Sequence, residues 1–331
     1  MAPDAKGRAV TGFVPPALAT LVEEVPTGPD WLHEVKYDGY RLQAVIRRAQ
    51  CRLLTRSGLD WTSKFQSLAD LCAALPVSTA SLDGELVARN AAGITSFQKL
   101  QQELDAGHSL ELGFVVFDVL ELNGTLWRKQ PLRARRRALK VLLGRRRGRI
   151  RLSEALRGTP NELLARSCRE GFEGVISKRL AAPYRSGRGT DWLKIKCGQR
   201  QEFVVLGFTP PGGNRVGLGS LLLGVREDAQ WRYAGRVGSG FDERMLQALT
   251  RRLQRIARQR SSLAAVPKDL PSGIQWVRPE VVVEVSFTEW TTSGRLRHPV
   301  FLGIRTDKTA VEVRRERSRR LPSRANKRGA T

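Results

Sequence analysis

Lys36 lies in the string Glu34-Val35-Lys36-Tyr37-Asp38-Gly39-Tyr40-Arg41, which sets an amine, an acid, a turn glycine and a cation close together. A free lysine has a pKa of about 10.4, so it attacks only where burial or neighbouring cations lower that value. In this order, K-x-D-G-x-R supplies an attacking nitrogen, a metal or proton partner in Asp38, a tight turn, and a phosphate or sugar clamp in Arg41. Alone, the same pattern also describes a solvated strand end of mixed charge. Further segments follow in a fixed order, and they match the needs of lysine-based nucleotidyl transfer. They are Thr55-Arg56-Ser57-Gly58, Leu82-Asp83-Gly84-Glu85-Leu86-Val87, Phe117-Asp118, Phe172-Glu173-Gly174-Val175-Ile176-Ser177-Lys178 and Trp192-Leu193-Lys194-Ile195-Lys196. In a strand, Lys194 and Lys196 share one face, because side chains alternate with period two.

The charge balance points to the same kind of partner. The 331 residues carry 57 Lys and Arg against 32 Asp and Glu, a formal +25. A field of that sign attracts polyanions, with nucleic acid the first candidate and an acidic membrane surface the second. No apolar run is long enough to cross a bilayer, and Met1-Ala2-Pro3-Asp4-Ala5-Lys6 lacks a signal core, so a cytoplasmic, nucleoid-associated protein is expected. Cys51, Cys72, Cys168 and Cys197 show no CxxC spacing, which argues against a zinc site and, in the cytosol, against a disulfide framework. Cys51 and Cys72 read as buried residues. With only His33, His108 and His298 in the chain, a catalytic metal would be a hard cation held by carboxylates and phosphates.

Several elements must position these residues. Residues 1–30 form a Pro-rich approach, with Pro15-Pro16, Pro26 and Pro29 limiting helix. Strands are expected at 32–37, 40–47, 51–55 and 82–89, with a helix near 63–75 and a buried central strand at 113–120. An Arg-rich helix at 131–147 reads equally as a solvated face or a DNA contact. A helix at 160–170 precedes strands near 173–178 and 192–196. The texture turns β-rich near residue 198, with strands at 202–208, 219–226, 231–238 and 281–288 around one helix at 242–258. That pattern suits a small barrel of the oligonucleotide-binding type. The expected organisation is a first domain over 1–198, a second over 199–313, and a disordered basic tail over 314–331.

The order and spacing of these motifs resemble the covalent nucleotidyltransferase superfamily of ATP-dependent DNA ligases, RNA ligases and mRNA capping enzymes. Arg297-His298-Pro299-Val300-Phe301-Leu302-Gly303-Ile304-Arg305-Thr306-Asp307-Lys308 is similar to the closing R-x-D-K motif of DNA ligases. Trp31-Leu32-His33-Glu34, Lys196-Cys197-Gly198-Gln199-Arg200-Gln201-Glu202-Phe203 and Tyr233-Ala234-Gly235-Arg236-Val237-Gly238 resemble the ligase module of bacterial end-joining ligase D. The resemblance implies an α+β fold: an adenylation (nucleotidyltransferase) domain of ATP-grasp-like antiparallel sheets with helices, then an OB-fold barrel.

It also implies roles. Lys36 would attack the α-phosphorus of ATP, and Lys194 and Lys196 would flank that phosphate and favour the unprotonated amine. Phe117 would stack on adenine, and Glu34 would accept from its N6 amine. Arg41, Arg56 and Arg188 would grip phosphate and sugar. Glu85 would touch the ribose, and Glu85, Glu173 and Asp38 would serve Mg²⁺ or Mn²⁺. Arg305, Asp307 and Lys308 would engage pyrophosphate when the barrel closes, then swing away as nicked DNA enters.

The implied enzyme is a monomeric ATP-dependent DNA ligase acting on nicked duplex in end joining, with Ku and a separate polymerase left open as partners. An RNA ligase or capping enzyme is opposed by the Arg305–Lys308 motif, by Glu34 and by the ligase D strings. A NAD-dependent ligase is opposed by the missing four-cysteine cluster. A non-catalytic basic DNA-binding relative predicts substitutions at Lys36, Glu173 or Lys194, and none is present.

Overall fold

A computed structural model describes residues 12–90, 93–105, 112–144, 148–212 and 217–319. Arg145, Arg146 and Arg147 of the Arg-rich stretch lie outside the described residues, as do 320–331.

One sheet orders Gln50–Thr55, Tyr40–Arg47, Thr79–Val87, Gly113–Leu122 and Thr125–Leu126, with Ile150–Leu152 parallel to Gly113–Leu122. Period-two alternation turns Tyr40, Leu42, Ala44 and Ile46 into the main core, where they meet Leu53, Leu82, Phe114 and Leu139. The apolar run expected as a central strand is buried along nearly its whole length at Gly113–Leu122. The helix Gln66–Ala73 packs on the Gln50–Thr55 strand, and Leu132–Leu143 packs on Gly113–Leu122.

In that second helix the solvated-face reading of the Arg-rich stretch holds for only some of its cations. The helix begins after Pro131 and ends at Gly144, short of residue 147, and it buries Arg135 and Arg136 while Arg133, Arg137 and Lys140 face solvent. Arg135 donates to both Asp118 oxygens at 2.7 and 3.0 Å and to the carbonyls of Gln130 and Ala182 at 2.6 and 3.0 Å. Its guanidinium is therefore an internal strut.

A second, four-stranded sheet runs Ala17–Leu21, Gly187–Lys196, Gly174–Arg179, Trp31–Lys36. Ala17–Leu21 lies within the Pro-rich approach, where the prolines limit helix but not an extended strand. It pairs in parallel with Gly187–Lys196, a long-range partner that leaves no local signal. Gly174 is a site only glycine can fill: its φ is +149°, and an added Cβ would lie 1.9 Å from the Ile195 carbonyl. Gly39 of the nucleophile motif is similar, since its missing Cβ would meet the Leu86 carbonyl at 2.0 Å.

The chain leaves this sheet at Lys196 and enters a third at Gln199. Here Gln199–Phe208 pairs with Leu221–Glu227 on one edge, and with Val282–Phe287 and Gln275–Val277 on the other. Gln230–Val237 and Val300–Arg305 extend the sheet. Seven strands join in all, and among the described residues their pairings do not close a ring. Asp242 caps the helix Glu243–Arg255 by accepting from Met245 N at 2.7 Å. That helix buries Leu246, Leu249 and Leu253 and leaves Arg251, Arg252 and Arg255 exposed.

The two halves touch closely. Tyr40 Oη donates to the Ile304 carbonyl at 3.2 Å, and Ile304 N donates to Gln101 Oε1 at 3.0 Å. Cys168 and Cys197 form a disulfide, contrary to the expectation from their spacing; the fold brings their Cα atoms to 5.3 Å across 29 residues of sequence. Cys51 and Cys72 are free and buried, as expected.

Candidate active site

Backbone register assembles the site. Lys36 and Lys196 both pair with Gly174, Glu34 and Lys194 both pair with Ile176, and Leu32 and Trp192 both pair with Lys178. Three cross-strand rows therefore place Lys36, Glu34, Ile176, Lys178, Trp192, Lys194 and Lys196 on one face. That face lines a cavity of about 600 Å³, bordered on other sides by Glu85, Phe117 and Arg188. From the third sheet, Arg305, Asp307 and Lys308 complete its wall, so the closing motif stands over the nucleophile motif.

Every residue singled out from the sequence reaches this cavity, but many arrive already partnered. Lys36 Nζ donates to Glu173 Oε2, and that carboxylate is nearly buried. Burial alone would raise Glu173, but Lys36, Arg200 and Lys196 hold it down at about 2. Asp38 is held by Arg200, whose Nη1 and Nη2 reach its two oxygens at 3.0 and 3.1 Å. Burial nevertheless pushes Asp38 up to about 6 against that pull. Glu85 differs: among the described residues its carboxylate makes no hydrogen bond or ion pair, and burial raises it to about 7 against Arg41 and Lys36. A carboxylate left uncommitted in a cavity is suited to a ligand. No cluster of three or more metal-type side chains forms among the described residues, so Asp38, Glu85 and Glu173 do not converge as a ready-made cage.

The end of the cavity around Glu34 and Phe117 is more tightly wired than the sequence suggested. Glu34 lies between Arg136 Nη1 at 2.6 Å and Lys178 Nζ at 2.5 Å. Lys178 also sits 4.3 Å from the Phe117 ring centroid and 4.1 Å from that of Trp192. Burial lowers the Lys178 pKa despite Glu34. Arg41 is oriented rather than free: it grips Asp83 at 2.5 and 2.7 Å and stacks 4.5 Å from the Phe117 centroid. Arg188 Nη1 donates to the Ala19 carbonyl at 2.6 Å, and Arg56 approaches Glu312 at 3.9 Å.

At the end lined by Lys194 and Lys196, burial and the Lys196 charge lower Lys194 to about 8. Across the cleft, Arg305 pairs with Asp307 at 2.8 Å and with Glu284 at 2.9 Å, while Lys308 pairs with Glu202. Glu284 also accepts from Arg200 Nε at 3.0 Å, which makes Arg200 a link between the nucleophile turn and the closing motif.

Residues 314–319, expected as the start of a disordered tail, instead run back over the cavity. Glu316 accepts from Lys194 Nζ at 2.5 Å and from Lys196 Nζ at 2.8 Å. Sequence reading also passed over Arg136, Lys178, Trp192 and Arg200. Lys178 and Trp192 stand inside quoted motifs, and period-two spacing from Ile176 and Lys194 would have put them on the site face.

A lysine on a strand face, ringed by cations and carboxylates and covered by a second β-rich half, defines a nucleotidyltransferase with an OB-type partner domain. The model of the ATP-dependent DNA ligase domain matches residues 16–196, and that of the ATP-dependent DNA ligase C-terminal region matches 214–308. The chain belongs to the ATP-dependent DNA ligase family.

Within that family it is LigD-like. It is 44% identical over 310 residues to the multifunctional non-homologous end joining protein LigD of Pseudomonas aeruginosa, a match covering 92% of this chain and 37% of that protein. It is 36% identical over 289 residues to LigD of Mycobacterium tuberculosis, covering 86% and 37%. The chain thus spans 37% of the length of these relatives. The solved structure of mycobacterial DNA ligase D complexed with ATP and MES superposes with a TM-score of 0.65 at 33% identity, covering 90% of this chain and 98% of that one. The ligase domain of M. tuberculosis LigD gives 0.51 at 34% identity, covering 91% and 98%. No helix among the described residues is long and apolar enough to cross a membrane.

Proposed function

We propose that this ligase seals 5′-phosphate/3′-hydroxyl nicks in duplex DNA through a lysyl-AMP and an adenylated DNA, within double-strand-break repair by end joining. The observation that carries the reading is the register: Gly174 sets Lys36 and Lys196 on either side of one backbone position, with Lys194 one row away. Lys36 Nζ, as the free amine, attacks the α-phosphorus of ATP. The N–P bond forms, the bond to the bridging oxygen breaks, one amine proton passes to solvent, and pyrophosphate leaves. Lys194 and Lys196 lie where charge builds on the phosphate oxygens, so their stabilisation is greatest in the transition state. Because Glu173 holds Nζ in this conformation, that contact must relax before Nζ turns to the phosphorus.

Phe117, fixed by Arg41, presents a ring for adenine, with Glu34 at the inner end to accept from N6. Glu85 and Glu173 supply the hard oxygen donors that Mg²⁺ or Mn²⁺ prefers, with Asp38 behind them. When bound there together with phosphate oxygens, such a cation would shield the triphosphate charge. Arg305, Asp307 and Lys308 face the pyrophosphate side in this closed arrangement, and duplex entry requires them to withdraw. In the later steps the 5′-phosphate takes AMP from Lys36, and the 3′-hydroxyl displaces it. Ku and a polymerase are the candidate partners of such a module.

Incubation with α-labelled ATP and Mg²⁺ or Mn²⁺ tests the core of this reading. Label attached to wild type and lost in Lys36→Ala is the expected result, followed by sealing of a nicked DNA duplex. Label retained by Lys36→Ala would refute it.

A further inference from the structure

The two lysines assigned to the α-phosphate already hold an anion supplied by the chain itself. After Val313, whose carbonyl accepts from Arg226 N at 2.8 Å, the backbone leaves the third sheet and crosses the cavity. Gln201 clasps it there: its Oε1 accepts from Glu316 N at 2.9 Å and its Nε2 donates to the Arg314 carbonyl at 3.1 Å. On the far side Arg319 N donates to the Leu21 carbonyl at 2.9 Å, and Ser318 Oγ donates to Glu23 Oε1 at 2.9 Å. The segment is therefore anchored to both halves of the molecule. Between these anchors the Glu316 carboxylate takes Lys194 and Lys196 together, one oxygen to each amine.

A carboxylate and a phosphate make the same demand on a pair of ammonium groups: two anionic oxygens at hydrogen-bond distance. The two anions cannot share the pair. The Glu316 side chain is 20% exposed and those of Lys194 and Lys196 are 14% and 11% exposed, so the contact is shielded from water and salt.

We propose that residues 314–319 form an autoinhibitory strap in which the Glu316 carboxylate occupies the phosphate subsite and must be displaced by the triphosphate of ATP. This rests on the assignment of Lys194 and Lys196 to the α-phosphate made above. Because the strap also ties the third sheet to Leu21, the enzyme is held closed without nucleotide, and binding ATP exchanges an internal anion for a substrate one. A strap seated about nine-tenths of the time weakens apparent ATP affinity about tenfold, since only the open fraction competes.

The test compares wild type, Glu316→Gln and Gln201→Ala, each as the full chain. It reads the ATP concentration giving half-maximal lysyl-AMP formation at low and moderate salt. Glu316→Gln keeps the shape and removes the charge, and it should lower that concentration about tenfold. Gln201→Ala loosens the clasp without touching either lysine and should shift it in the same direction. Hydrogen exchange gives a second readout: the amides of Glu316 and Arg319 should exchange faster once ATP is added. An unchanged or increased ATP requirement in Glu316→Gln, or unchanged exchange across 314–319 with ATP bound, overturns the strap. Failure of the underlying mechanism looks different, because label would then persist in Lys36→Ala whatever residue stands at 316.

Discussion

Replacing Arg200 by alanine should separate the first chemical step from the last. Arg200 reaches Asp38 beside the nucleophile and Glu284 beneath the closing motif, and both carboxylates are buried, at 8% and 4% exposure. Removing one partner of a buried ion pair typically costs about 3–5 kcal/mol. Discounted for the partial exposure of Arg200, about 2–3 kcal/mol is a fair figure for the closed arrangement. At 1.4 kcal/mol per tenfold, that loss disfavours closure by roughly 30- to 150-fold. In the proposed mechanism lysyl-AMP formation needs Arg305 and Lys308 over the cavity, so its single-turnover rate should fall by about that factor. Sealing of a nick supplied already adenylated, which that mechanism carries out with the second half withdrawn, should change less than about threefold, well below the first-step loss. Arg200→Lys keeps one charge without the fork and should recover part of the first step. Equal losses in both steps, or full first-step activity in Arg200→Ala, would refute this account of the link.

Two further outcomes follow from the same geometry. The kcat/KM for lysyl-AMP formation reports the free enzyme, in which Lys194 titrates at about 8; its cation is complete below that pH and is lost above it. The rate should therefore fall as pH rises from 8 to 9, and Lys194→Arg, whose charge persists, should flatten that limb; an unaltered limb argues against Lys194. Arg135→Met leaves the Asp118 carboxyl fully buried and short of its bidentate partner, so urea denaturation should show a loss of about 3–5 kcal/mol. Adding Asp118→Leu should restore most of that stability, and a single mutant as stable as wild type would contradict the role of Arg135 as a strut.

Much of the site was legible because it is written locally. The nucleophile turn, the buried central strand and the alternating Lys194 and Lys196 depend on near-neighbour spacing, and the fold keeps them where spacing put them. What escaped depends on partners far along the chain. Arg135 and Arg136 look like surface charge until Asp118 and Glu34 are placed opposite them. Composition marks 314–331 as basic, which hides the one acid in it, Glu316, that meets Lys194 and Lys196. Ala17–Leu21 has prolines just before it and finds its partner only at Gly187–Lys196. Cys168 and Cys197 show no spacing motif, because a helix end and a strand end bring them together only after folding.

The Cys168–Cys197 bond also has a mechanical meaning. Cys197 follows Lys196 directly, and the bond fastens it to the helix Pro160–Arg169 of the first half. In the proposed cycle, where the second half turns away to admit a duplex, this tie would keep torsion from spreading back along the strand that carries Lys194 and Lys196. The swivel would then fall at Gly198 and the residues after it, where a glycine offers the widest choice of backbone angles. The bond would serve as a fixed bearing, letting one half rotate while the cationic face beside Lys36 holds still.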